Sequence, residues 1–110
     1  MVKKYDIAII GAGPAGLSAA IYGTRAGRSV AVFEGKSFGG QIINTPEIEN
    51  YPGIERISGA EFAMNLYNQA VSLGAEYINE KVIEVEDGPK SKRIVTNHGE
   101  YEAKSVIVAT

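Results

Sequence analysis

The chain has 110 residues, which is the size of one ordinary domain or of part of one. Its hydrophobic content of 45% is enough for a folded core, and its net charge of −2 excludes the strongly basic surface typical of proteins that bind nucleic acids. With no cysteine, the chain has no disulfide, no thiolate metal site and no cysteine nucleophile.

The longest apolar runs, Ile7–Ile10 and Val106–Ala109, are far shorter than the roughly 18 residues that suggest a membrane-spanning helix. Asp6 and the glycines after Ile10 interrupt the segment that could imitate a secretion signal. We therefore expect a soluble, cytoplasmic protein with no membrane partner.

The first third of the chain predicts a β-α-β unit. Tyr5–Ile10 is an isoleucine-rich run followed by glycine, which is typical of a buried parallel strand. Pro14–Ala26 favours a helix, with proline in the first turn and Gly27 where a left-handed cap is expected. Val30–Phe33 is β-branched and aromatic, and predicts a second strand parallel to the first.

A long loop and a second helix follow. Between Gly35 and Ile57 the sequence has four glycines, two prolines and no sustained period, which predicts a functional loop. Ser58 and Glu61 have the spacing of a capping box, and apolar residues then recur at helical intervals as far as Gly74.

The last third of the chain predicts strands. Lys81–Glu86, Arg93–Asn97 and Tyr101–Ala103 alternate in hydrophobicity and are separated by turn sequences, the second of which is Asn97-His98-Gly99. These segments predict a three-stranded β-meander.

Ser105–Thr110 predicts one more buried parallel strand. The order of the elements indicates an α/β fold of the doubly wound, Rossmann-like type, in which a parallel sheet has the three-stranded β-meander as a crossover.

The strongest functional signal is Gly-Ala-Gly-Pro-Ala-Gly at positions 11–16, between the first strand and the first helix. Gly11 can make a tight turn, Gly13 lets the backbone approach a diphosphate, and Gly16 permits close helix packing. Free N–H groups at the helix N-terminus supply positive potential. The residues predicted to hold a diphosphate are Gly11, Gly13, Pro14, Ala15 and Gly16. The alternative is a glycine turn that only packs.

Glu34 follows Gly11 by 23 positions, close to the offset of about 20 at which a carboxylate reaches the ribose of a dinucleotide. It would accept both hydroxyl protons and repel a 2′-phosphate, which predicts the adenosine half of FAD or NAD and excludes NADP. The alternative is a solvated residue at a strand end. The motif does not choose between FAD and NAD, because both contain ADP.

A more specific resemblance lies in the long loop. The sequences SFGGQ at 37–41 and TPEIENYPG at 45–53, together with the glycine motif and the terminal Ala109-Thr110, closely resemble the low-molecular-weight bacterial and archaeal thioredoxin reductases. The resemblance covers essentially the whole chain. It implies that residues 1–110 are the N-terminal portion of an FAD-binding domain, without that family's NADPH domain, redox-active cysteine pair and C-terminal FAD segment.

The same resemblance assigns further cofactor-binding residues. It implies that Glu34, Gly35 and Lys36 meet the adenosine end of FAD, and that residues nearer the flavin are Gly39, Gly40 and Gln41. Asn50 corresponds to an asparagine beside the isoalloxazine, Val82 to a residue whose backbone meets adenine, and Thr110 to the end of the last strand. Without the family, Asn50 is a turn former and Val82 a core residue.

The implied parent is a homodimeric flavoprotein that passes reducing equivalents from NADPH through FAD to a disulfide and then to thioredoxin. No catalytic residue and no metal site are assigned to this segment, which is expected to be inactive alone. One alternative is a thioredoxin reductase-like ferredoxin–NADP reductase. Another is a non-catalytic NAD-sensing regulatory module, which explains Gly11–Glu34 but not the loop.

Overall fold

The computed structural model describes residues 2–36 and 59–110. These segments form two helices and six strands. In chain order the elements are β1 Lys3–Ile10, α1 Pro14–Arg25, β2 Val30–Phe33, α2 Gly59–Ser72, β3 Glu76–Ile78, β4 Val82–Asp87, β5 Lys92–Thr96 and β6 Glu100–Val108. The predicted loop, apart from its first two residues, and Ser58 of the predicted capping box lie outside the described residues.

The six strands form one sheet in the order β3-β2-β1-β6-β5-β4. β1 pairs in parallel with β2 and with β6, β3 is parallel to β2, and β4 and β5 are antiparallel to their neighbours. The predicted α/β fold with a β-meander is confirmed. Because the chain runs outward from β1 to β3 and then returns to the other side of β1, the strand order reverses between β1 and β6. Ligands of such sheets bind beyond the carboxyl ends of the strands at this switch point.

The structure corrects the predicted strands in two places. β3 was not predicted, because three residues are too few to show a period. The predicted strand Tyr101–Ala103 and residues 105–108 of the predicted strand Ser105–Thr110 belong to the single strand β6, whose hydrophobic pattern is interrupted by the exposed Lys104. The first half of β6 pairs with β5 as the third strand of the meander, and β6 pairs with β1 from Tyr101 to Val108.

Both helices pack on one face of the sheet. Ile9 and Val32 point toward them and lie in one core with Leu17 of α1 and Ala70 of α2. Alternate strand residues form a second core on the opposite face, where Phe33 packs with Ile78 of β3 and Ile94 of β5. Neither helix of residues 2–36 and 59–110 is long and apolar enough to cross a membrane.

The second face also carries two tyrosines that are hydrogen bonded to carboxylates. The Tyr5 hydroxyl donates to Glu76 Oε2 at 2.6 Å, and the Tyr101 hydroxyl donates to both oxygens of Glu80 at 2.9 Å. Burial and the Glu76 hydrogen bond raise the pKa of Tyr5, and burial and Glu80 raise the pKa of Tyr101 to about 12. The hydroxyl of Tyr5 in turn lowers the pKa of Glu76.

We expect these pairs to make stability depend on pH at both extremes. Glu76 has a lower pKa in the folded state than in the unfolded state, so its contribution is complete above about pH 4.5 and is lost as the pH falls through the folded pKa. Tyr101 contributes fully below pH 10, and its contribution is lost as the pH rises from about 10 through about 12.

Urea unfolding of Glu76→Gln between pH 3 and pH 7 checks the acid limb, since a glutamine oxygen still accepts from Tyr5 but does not titrate. The variant should show a smaller loss of stability on acidification than the wild type. The matched control is Glu84→Gln on the exposed strand β4. An unchanged acid limb in Glu76→Gln would contradict the assignment.

Candidate functional site

In the glycine-rich turn between β1 and α1, two positions have no room for a side chain. Gly11 has a φ of +110°, and a Cβ there would lie 2.7 Å from the Ala109 carbonyl oxygen. A Cβ at Gly16 would lie 1.8 Å from the Gly11 carbonyl oxygen. The Gly11 N–H donates to Phe33 O at 2.8 Å, which ties the turn to the end of β2.

The first turn of α1 lies beyond the end of β1 and has backbone N–H groups without partners in the helix, of which that of Ala15 belongs to a residue lining the space there. Gly13 is the N-cap, no side chain caps the helix, and the Leu17 N–H bonds the Gly13 carbonyl at 2.9 Å. The N–H groups of Ala15 and Gly16 therefore have no acceptor within the helix, while Pro14 has no N–H. No acidic residue lies in this first turn. The positive electrostatic potential at the helix N-terminus thus favours an anion such as a diphosphate.

Glu34, directly after β2, reaches across to the glycine-rich turn. Its Oε1 accepts from the Ala12 N–H at 2.8 Å, and its Oε2 accepts from the Lys36 N–H at 3.1 Å. The Glu34 N–H donates to Ile78 O at 3.0 Å, so β3 fixes its main chain. Each carboxylate oxygen keeps a further lone pair that can accept from a ligand hydroxyl.

These groups face one crevice at the carboxyl ends of β1, β2 and β6, with a volume of about 910 Å³. This volume lies within the roughly 300–1,000 Å³ common for small-molecule sites. The described residues that line it are Ile10, Gly11, Gly13, Pro14, Ala15, Phe33, Glu34, Gly35, Lys36, Lys81, Val82, Ala109 and Thr110.

The structure brings most of the predicted site residues together. Gly11, Gly13, Pro14, Ala15, Glu34, Gly35, Lys36, Val82 and Thr110 all line the crevice. Gly16 instead packs beneath the turn against Gly11, as close packing of helix and strand requires. The remaining predicted residues, Gly39, Gly40, Gln41 and Asn50, lie outside the described residues.

Sequence reasoning missed four lining residues, of which Lys81 is the most informative. A Cβ at Gly35 would lie 3.0 Å from the Lys81 Cβ and 3.2 Å from its Cα, so a side chain at position 35 would crowd Lys81 where the two segments cross. The adjacency of Lys81 to Val82 was the only signal in the sequence. Ile10, Phe33 and Ala109 are strand ends whose place in the crevice follows from the sheet order. Within the two described segments no three metal-ligating side chains cluster.

Comparison with known proteins identifies the family. The sequence profile of the pyridine nucleotide-disulphide oxidoreductases matches residues 5–110. The chain belongs to this family. Its members most similar in sequence include the thioredoxin reductase of Bacillus subtilis, 45% identical over 107 residues, which are 97% of this chain and 34% of that protein. The thioredoxin reductase of Peptoclostridium acidaminophilum is 45% identical over 111 residues, covering 100% of this chain and 35% of that protein.

Solved structures of the family agree with the sequence comparison. Thioredoxin reductase from Streptococcus pyogenes has a TM-score of 0.94 and 44% identity, covering 100% of this chain and 36% of that chain. A ferredoxin-flavin thioredoxin reductase from Clostridium acetobutylicum has a TM-score of 0.87 and 36% identity, covering 97% of this chain and 37% of that chain. The predicted similarity to thioredoxin reductases is confirmed, and the chain spans about a third of the length of these relatives.

Proposed function

We propose that this chain is the N-terminal FAD-binding portion of a thioredoxin reductase-like flavoprotein. The observation that carries the proposal is the Glu34 carboxylate, held by the N–H groups of Ala12 and Lys36 in the same crevice as the free amides of α1. A diphosphate at the helix N-terminus and a ribose at Glu34 would be the two ends of one ADP group.

The residues fit an adenine dinucleotide by the chemistry of their donors and acceptors. The Ala15 N–H, which has no acceptor in the helix, would bind the diphosphate together with the N–H of Gly13, which also lines the crevice. The remaining lone pairs of Glu34 would accept from the ribose hydroxyls. A Cβ at Gly11 would collide with Ala109, so this turn depends on glycine. On the family resemblance we assign the adenine side to Val82 and the flavin side to Gly39, Gly40, Gln41 and Asn50. We also assign Thr110, at the end of the last strand, to the cofactor-binding residues.

When bound, FAD supplies the transfer of electrons between a nicotinamide and a disulfide. The part of this chain is to bind and orient the cofactor. Backbone amides would stabilise the negative charge of the diphosphate and the Glu34 carboxylate would orient the ribose, while the apolar strand ends form one wall of the crevice. Since Glu34 is negatively charged, a ligand with a 2′-phosphate is repelled, which separates this site from the site for NADPH.

We propose that the whole protein is a homodimeric, cytoplasmic enzyme that carries reducing equivalents from NADPH through FAD to a disulfide and then to a thioredoxin-like protein. Its NADPH domain, its disulfide and the rest of its FAD domain belong to parts of the protein other than residues 1–110, which are inactive alone. A parent that uses ferredoxin is the second candidate, favoured by the similarity to the Clostridium acetobutylicum protein.

Titration of FAD with the chain, followed by flavin fluorescence polarisation, tests the proposal. We expect saturable binding that ADP competes away and that riboflavin, which lacks the ADP group, does not. NADP⁺ should compete poorly because of its 2′-phosphate. A chain that binds NAD⁺ and not FAD would instead support a NAD-sensing module, and a chain that binds neither would overturn the proposal.

A further inference from the structure

The wall of the crevice beside Glu34 is made of two short segments that constrain each other. The first is the turn from Glu34 to Lys36, and the second is Lys81, directly before β4. They meet at Gly35, where a Cβ would lie 3.0 to 3.3 Å from three carbon atoms of Lys81. The two segments are therefore packed closely at Gly35, with little room for either to shift toward the other.

Asn97 holds the Lys81 segment through two hydrogen bonds to its main chain. The Lys81 N–H donates to Asn97 Oδ1 at 3.0 Å, and the Asn97 N–H donates back to Lys81 O at 3.0 Å. One asparagine thus satisfies both main-chain polar groups of a residue that lines the crevice. Toward the described residues, the side chain of Asn97 acts as an acceptor.

Asn79 fixes the Glu34 turn in the complementary way. With its amide oriented so that donor meets acceptor, Asn79 Nδ2 donates to Glu34 O at 2.8 Å and to Lys36 O at 3.0 Å. These carbonyls flank Gly35, and the Lys36 N–H in turn holds the Glu34 carboxylate. The side chain of Asn79 serves here as a donor.

We propose that Asn79 and Asn97 are positioning residues that set the ribose specificity of the crevice through the placement of the Glu34 carboxylate. Neither residue lines the crevice among the described residues, so each acts through the main chain of a residue that does. The inference rests on the proposed function. Gly35 by itself allows the backbone many conformations. The Glu34–Lys36 turn therefore depends on the hydrogen bonds that Asn79 donates to the carbonyls of Glu34 and Lys36.

The opposite roles of the two asparagines allow a sharp test. Asn97→Asp keeps the acceptor oxygen and should behave as the wild type, whereas Asn97→Ala loses it. Asn79→Asp places acceptors against two carbonyls and should be impaired at least as much as Asn79→Ala. The matched control is Asn68→Ala, at an exposed position of α2.

The measurement is the affinity for ADP and for ADP carrying a 2′-phosphate, with the melting temperature followed in parallel. We expect Asn79→Ala, Asn79→Asp and Asn97→Ala to weaken ADP binding about fivefold to tenfold, the factor for losing one hydrogen bond or slightly more. Binding of the 2′-phosphate form should weaken less, because the displaced carboxylate repels it less. Both affinities within twofold of the wild type in Asn79→Asp and Asn97→Ala would overturn the inference.

Amide hydrogen exchange separates failure of this inference from failure of the proposed function. The N–H groups of Ala12 and Lys36, both bonded to the Glu34 carboxylate, should exchange faster in Asn79→Ala and Asn97→Ala than in the wild type or Asn97→Asp. This result is expected with no ligand present. If the wild type binds no ADP, the proposed function fails. Unchanged exchange of Ala12 and Lys36 overturns the positioning role in either case.

Discussion

Replacing Gly16 with alanine should destroy nucleotide binding and destabilise the domain. The added Cβ would lie 1.8 Å from the Gly11 carbonyl oxygen, a separation that no rotamer can relieve. Gly11 has no room to retreat, because its own N–H is bonded to Phe33 and its Cα faces the Ala109 carbonyl. The helix must therefore move away from β1. Such overpacking costs about 1–3 kcal/mol or more, which exceeds the gain of up to about 1 kcal/mol from alanine in a helix.

Urea unfolding and FAD titration of Gly16→Ala provide the measurement. The matched control is Gly99→Ala, since no heavy atom lies within 4 Å of a Cβ at Gly99 and its φ is not in the left-handed region. The control should unfold and bind FAD as the wild type does. If Gly16→Ala matched the control in both assays, the close approach of α1 to the turn would not be a requirement of the site.

The parts of the fold that the sequence predicts well are those that local chemistry determines. An apolar run predicts the strand β1, and a proline in the first turn predicts the start of the helix α1. The turn between them follows from two glycines at positions where a Cβ would clash. The geometry found at Gly11 and Gly16 is what the spacing of the glycine motif requires. The position of Glu34 in the same crevice follows from its place after a parallel neighbour of β1.

The parts that the sequence did not predict depend on contacts between distant segments. β3 has only three residues and exists because it pairs with β2, and its carbonyl at Ile78 accepts from Glu34. Lys81 enters the crevice because Gly35 lets two segments cross. Asn97 belongs to a sequence typical of a turn. Its hydrogen bond to Lys81, 16 positions away, cannot be predicted from the neighbouring sequence.

Replacing Glu34 with glutamine should weaken FAD binding by tens of fold and abolish the discrimination against a 2′-phosphate. A glutamine has one acceptor oxygen, so only one of the Ala12 and Lys36 N–H groups could keep its partner, and the new NH₂ would face the other. A hydrogen bond to a charged group contributes about 1.5–3 kcal/mol. Loss of such a bond at the ribose therefore corresponds to a weakening of FAD binding by tens of fold.

The measurement compares FAD, ADP and ADP with a 2′-phosphate on the wild type, Glu34→Gln and the control Glu84→Gln. Two effects are expected to separate in this comparison. Loss of the ribose bonds weakens FAD and ADP together, whereas loss of the charge strengthens the 2′-phosphate form relative to ADP. Because Glu84 lies on the exposed strand β4, its variant changes the net charge equally without touching the crevice. A Glu34→Gln variant with unaltered preference for ADP would place the ribose elsewhere and remove the basis of the dinucleotide assignment.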